Sequence, residues 1–150
     1  MPTVTISEIA ARIAGPDEKL GVVIDKVKNW VKSGLLEPSS ELNPGSGHAR
    51  AFPETALIDA LILHVLTAQV GMAAVRARAF SELFKHSRSA FKRTDFKRFV
   101  TIGRSADNAR AEIGFAYAEG LSEHLLRSPH ESHVVLDLQK LFKRLERTGG

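Results

Sequence analysis

Apolar residues recur at helical spacing through the first half of the chain and at strand spacing in parts of the second. Ile9, Ala10 and Ile13 share one side of a helix, opened by Thr5-Ile6-Ser7-Glu8. That tetrapeptide is a capping box, with Thr5 as the cap and Glu8 at the third helical position, each able to satisfy an amide that the first turn leaves open. Gly15-Pro16 stops the helix, and the polar PDEKLG follows. Val23, Ile24, Val27, Trp30 and Val31 then form the apolar stripe of a second helix, Gly21 to Ser33, whose other face carries Asp25, Lys26, Lys28, Asn29, Lys32 and Ser33. Gly34 stands where a left-handed residue ends a helix. Two short helices joined by a polar turn make a helix-turn-helix candidate.

Residues 37–51, rich in Ser, Pro, Gly and Asn, read as a surface loop or as a hairpin wing. In the wing, Asn43 to Gly47 form the tip and His48 to Phe52 the returning strand, with Arg50 outward. Pro53 suits the first position of a third helix, which runs to Val70 and is apolar nearly all round. Such a helix belongs at the centre of a fold or against a partner chain. Gly71 breaks it, and a basic helix from Met72 to Lys85 resumes with Val75, Ala79, Leu83 and Phe84 expected inward.

In the second half, Phe99 to Ile102 is expected as a strand, Gly103 to Asn108 as a turn, and Ala111 to Tyr117 as a second strand or an Ala-rich helix. Leu121 to Arg127 reads as a short helix stopped before Pro129, and His133 to Leu136 as a strand. Asp137 then caps a last helix with Leu138, Leu141, Phe142 and Leu145 inward. The fold expected is mainly α with small β. Residues 1–85 form the winged helix-turn-helix, and residues 86–150 form an α+β region for dimerisation or partner binding.

Composition narrows the function. With 43% hydrophobic and 25% charged residues, the 150-residue chain is that of an ordinary folded protein. A net charge of +4 and a pI near 9.6 lean towards a polyanionic partner. The basic segment 85–98, interleaved with Phe91 and Phe96, is a solvated linker or an accessory nucleic-acid surface. No cysteine is present, which excludes disulfides and thiolate metal sites. No signal peptide is recognisable, and the apolar stretch Ala56 to Leu66, interrupted by Asp59 and His64, is too short to span a bilayer, so a cytoplasmic protein without membrane contact is expected. His130 and His133 have a spacing that could touch a metal, but no further ligand is placed beside them, and they read as exposed loop histidines. With no nucleophile elbow or phosphate loop, neither an enzyme nor a cofactor is expected.

Five pieces in order carry a resemblance: Thr5-Ile6-Ser7-Glu8-Ile9-Ala10, Val27-Lys28-Asn29-Trp30, Gly34-Leu35-Leu36-Glu37-Pro38, Gly47-His48-Ala49-Arg50-Ala51-Phe52 and Val70-Gly71-Met72. Together they resemble the MerR-type winged helix-turn-helix domain, over Val4 to about Ala79. The resemblance implies a dimeric, sequence-specific transcription regulator that binds double-stranded DNA, with RNA polymerase as a further partner. Its recognition helix would enter the major groove while the wing and first helix hold phosphates. Lys28 takes the position of the family's recognition-helix arginine, Arg50 that of its wing arginine, and Trp30 the aromatic position under the helix. The expected DNA contacts are thus Lys26, Lys28, Asn29 and Lys32 on the helix, with Arg12, His48 and Arg50 at phosphates. Three departures stand out: the turn from Pro16 to Gly21 is longer than the family's, Asp25 replaces a commonly basic residue, and no effector domain of the metal- or drug-sensing members is recognisable.

Overall fold

The computed structural model describes residues 3–38, 51–89, 96–104 and 111–146, with the backbone alone described for 85–89 and for Ala111. It is a mixed α and β fold with small antiparallel sheets. The chain divides into two compact units, one of Met1–Lys85 with Arg144–Gly150, the other of His86–Lys143. Arg144, Leu145 and Glu146, which the sequence placed with the second region, fall in the first unit.

The first unit begins with β1 (Thr3–Val4), α1 (Ile6–Ile13) and α2 (Leu20–Lys32). The capping box forms as the sequence dictates: the Glu8 amide donates to Thr5 Oγ1 at 3.2 Å, and the Thr5 amide donates to Glu8 Oε2 at 3.3 Å. α1 buries Ile9, Ala10 and Ile13, and α2 buries Val23, Val27 and Trp30. Gly34 adopts φ +81°, and the Leu35 amide turns back to the Trp30 carbonyl at 2.8 Å, closing the end of α2.

β2 (Phe52–Pro53) pairs antiparallel with β1, Val4 opposite Phe52 and Thr3 opposite Pro53. Pro53 therefore ends a strand rather than starting a helix. Its fixed φ suits a sheet margin, and α3 (Ala56–Ala68) begins three residues later. α3 buries ten residues, Asp59 and His64 among them, so its all-round apolarity is spent inside its own chain, at the centre of the unit. Gly71, at φ +78°, ends that stretch, with the Met72 amide on the Leu66 carbonyl at 3.0 Å.

α4 (Ala74–Ser89) buries Phe84 as expected but not the other three residues expected inward. Ala77, Ser81 and Phe84 are buried, whereas Val75, Ala79 and Leu83 are exposed. Arg78 ties this side of the helix to the rest of the unit. Arg78 donates through Nε to the Leu35 carbonyl at 3.0 Å, binds the Ser81 hydroxyl through Nη1, and faces Asp59 Oδ2 at 3.4 Å.

The second unit is built on the sheet β4-β3-β5, of Ala111–Ala116, Phe99–Arg104 and Ser132–Asp137, all neighbours antiparallel. The strand expected at Phe99 to Ile102 continues through Gly103 and Arg104, where a turn was expected. The pairing puts Val100 opposite Phe115 and Leu136, and Ile102 opposite Ile113 and Val134, so one side of the sheet is apolar. On the other side Thr101 faces Gly114 and Val135, and Gly103 faces Glu112 and His133. A 3₁₀ turn (Ala118–Gly120), α5 (Leu121–Arg127) and α6 (Leu138–Arg144) as far as Lys143 complete the unit. Asp137 caps α6 by accepting from the Gln139 and Lys140 amides at 3.1 and 3.4 Å. It also takes a two-pronged ion pair from Arg98 at 2.9 and 2.7 Å. Partial burial opposes the charge on Asp137, but Arg98 and the two amides outweigh it and hold its carboxyl below the ordinary 3.8. Among the described residues no helix is long and apolar enough to cross a membrane.

Candidate functional site

Among the described residues two places gather polar chemistry, one in each unit. The first is the outer face of α2. Asp25, Lys28, Asn29, Lys32 and Ser33 are exposed there, Lys26 is half-buried, and Leu20 and Val22 add exposed apolar side chains to the first turn. The buried stripe of Val23, Val27 and Trp30 fixes which side of the helix faces out. Lys28, Asn29 and Lys32 are thus brought onto one exposed surface, with Asp25 among them. Arg12 is half-buried instead, its Nη1 donating to the Leu145 carbonyl at 3.4 Å, while Arg144 Nη1 donates to the Ile13 carbonyl at 2.9 Å. His48 and Arg50 lie outside the described residues.

The connection before α2 is fastened by a residue that periodicity does not single out. Glu18 accepts from the Gly15 amide at 2.6 Å and meets His64 Nε2, on buried α3, at 2.7 Å. Gly15 permits this closeness, since a Cβ there would lie 2.9 Å from Glu18 Oε1. Burial works against the charge on Glu18. The bonds from His64 and Gly15, with the fields of His64 and Lys26, outweigh it and keep the carboxyl below its ordinary 4.5. The longer turn is thereby tied to the core of the unit, and α2 is held in place on it.

The second place is an open cavity of about 340 Å³ on the polar side of the three-stranded sheet. His124 of α5, His130 of the following turn and His133 of β5 all line it. Each imidazole is held through Nε2: His124 with the Thr101 hydroxyl at 2.7 Å, His130 with Glu112 at 2.5 Å, and His133 with the Ser128 hydroxyl at 2.8 Å. The His130 and His133 rings meet edge to face, 6.1 Å between centroids. Glycine makes room for two of them. A Cβ on Gly103 would come within 2.6 Å of the His130 ring, and one on Gly114 within 2.9 Å of His124. His130 and His133 are therefore half-buried cavity residues, not the exposed loop histidines that their spacing indicated. Among the described residues no group of three or more His, Asp or Glu side chains could hold a metal ion.

Sequence reasoning missed this cavity because register assembles it. Gly103 and Gly114 meet the histidines only once β3 and β4 pair and α5 returns over them; no local spacing encodes that. Gly103→Ala is expected to cost roughly 1–3 kcal/mol, as crowding in a packed site does, and to release His130 from Glu112. Denaturant unfolding, with imidazole NMR signals of the folded variant, checks both. No protein-family model matches this chain, and no curated protein matches it in sequence.

Proposed function

We propose that the chain is a DNA-binding transcription regulator of MerR-like winged helix-turn-helix type, acting as a homodimer with α2 as its reading helix. The observation that carries this is the exposed face of α2, where Lys28, Asn29 and Lys32 stand clear of a buried Val23–Val27–Trp30 stripe. Asparagine pairs with adenine edges and lysine with guanine or phosphate, which suits a helix laid in a major groove. Glu18 supports the same reading, because it fastens the lengthened turn and gives α2 a fixed setting against α3. Asp25 is compatible with an acceptor role towards cytosine N4. Leu20 and Val22, exposed on the first turn, suit thymine methyl groups.

The test is fluorescence anisotropy on a duplex from upstream of the protein's own gene, against a scrambled duplex, with salt varied. Preferential binding is expected, with a log–log salt slope of about −0.9 per neutralised phosphate. Asn29→Ala is expected to cost about 1–3 kcal/mol and relax sequence preference, and Lys28→Ala to weaken binding with a shallower salt slope. Equal weak binding to both duplexes would replace the regulator with an architectural, DNA-bending protein. No binding at low salt would leave a protein-interaction module with a basic face.

A further inference from the structure

The cavity in the second unit is not used by the proposed DNA contact, and its chemistry points elsewhere. We propose that the cavity lined by His124, His130 and His133 binds a small molecule through a phosphoryl group, with uptake of a proton.

The groups that face the cavity come from every element around it. β3 supplies the Thr101 hydroxyl, β4 supplies Glu112, α5 supplies Glu123, His124 and Arg127, the next turn supplies Ser128 and His130, and β5 supplies His133. Both carboxylates are already engaged. Glu123 is paired with Arg127 at 2.5 Å, and Glu112 with His130 at the same distance. The same contacts also occupy the two hydroxyls, one N–H of Arg127 and every Nε2, so what the cavity still offers is one hydrogen from each hydroxyl–imidazole pair, the remaining N–H groups of Arg127 and the Nδ1 of His130. They approach from the sheet, the helix and the turn, from several directions at once. A tetrahedral oxyanion accepts hydrogen bonds all round, whereas a planar carboxylate accepts them in one plane, so the phosphoryl group fits this arrangement better.

The proton follows from the same contacts. A carboxylate only accepts, so the Nε2 of His130 that faces Glu112 carries hydrogen, and its Nδ1 becomes a donor only when the ring gains a second proton. Imidazole is the side chain that changes charge between about pH 5 and 8. A ring that takes up a proton presents an anion with one more donor and a positive charge, so the affinity is expected to rise as pH falls. The volume, about 340 Å³, is at the low end for small-molecule sites, which span about 300–1,000 Å³.

Sulfate is the probe of choice because its charge is constant through this range, so any pH effect comes from the protein. The full chain would be titrated with sulfate at constant ionic strength, at about pH 8 and about pH 6, following the histidine ring signals. Shifts of His124, His130 and His133, with His64 unmoved, and affinity about tenfold tighter at the lower pH are expected. His133→Gln, which can still bond Ser128 but cannot titrate, is expected to lose most of that gain; His124→Gln serves if the first variant unfolds. Phenyl phosphate binding more tightly than inorganic phosphate identifies an organic phosphate as ligand, and equal binding identifies the free ion. An affinity flat with pH, shifts confined to other histidines, or folded variants that bind as the parent does would overturn the proposal. Displacement of sulfate from the cavity by duplex DNA would also overturn it, since the site would then hold a nucleic-acid backbone. Loss of DNA binding by α2 variants leaves all of these readouts untouched.

Discussion

Leu61→Ala is expected to lower the stability of the first unit by about 2–5 kcal/mol, a large share of the roughly 5–15 kcal/mol that holds a domain. The substitution removes the transfer energy of the side chain and leaves a cavity. How much the cavity costs depends on whether neighbours can close it. Leu61 is without solvent exposure on α3, a helix buried on all its faces, so the gap opens in packed interior rather than to water. Urea unfolding followed by the fluorescence of Trp30, the single tryptophan and a residue of this unit, measures the loss. Val75→Ala is the control: that side chain is 73% exposed and its removal is expected to change stability by less than about 0.5 kcal/mol. A loss below about 1 kcal/mol for Leu61→Ala would show that α3 is not the centre of the unit.

Glu18→Ala is expected to cost about 1–3 kcal/mol, more than a half-exposed turn residue normally would. The reason lies in what it leaves behind. His64 is 2% exposed, and among the described residues its Nδ1 already has no hydrogen-bonding partner. Without Glu18, Nε2 loses its partner too, and a buried polar ring carries an uncompensated desolvation penalty. Replacing both ends removes that penalty, so Glu18→Ala with His64→Leu is expected to recover most of the stability; a double variant no better than the single one would refute this account. The pH dependence has a definite sign. Because the Glu18 carboxyl is held below 4.5 in the folded chain, its contribution is present above that value and is lost as pH falls through the folded-state pKa. The parent should therefore lose stability below about pH 4.5 more steeply than Glu18→Ala does.

Local signals in the sequence reach most of the elements. The Thr5–Glu8 box, the 3.6-residue stripes of α1 and α2, the left-handed Gly34, the strand run of β3, and Asp137 as the cap of α6 each depend on residues within a few positions of one another, whereas β4, open between strand and helix in the sequence, is settled by its pairing with β3. Where neighbours distant in sequence decide, the letters mislead. Pro53 is drawn into a strand by Thr3, and α4 buries Ala77 and Ser81 with Phe84, on the side where Arg78 makes its contacts, while Val75 and Leu83 stay exposed. The same holds for chemistry. Lys28, Asn29 and Lys32 could be picked from one helical wheel, but Glu18 with His64 and the three histidines over Gly103 and Gly114 exist only after long-range pairing.

The return of the chain to its first unit has a consequence for synthesis. Arg12 donates to the carbonyl of Leu145, and the carbonyl of Ile13 accepts from Arg144, so α1 is completed by residues translated long after it. While the ribosome is still adding the strands of the second unit, the helices of the first can already collapse, but these two bonds must wait. α1 therefore gains its last two ties only when Arg144 and Leu145, at the end of α6, have been made.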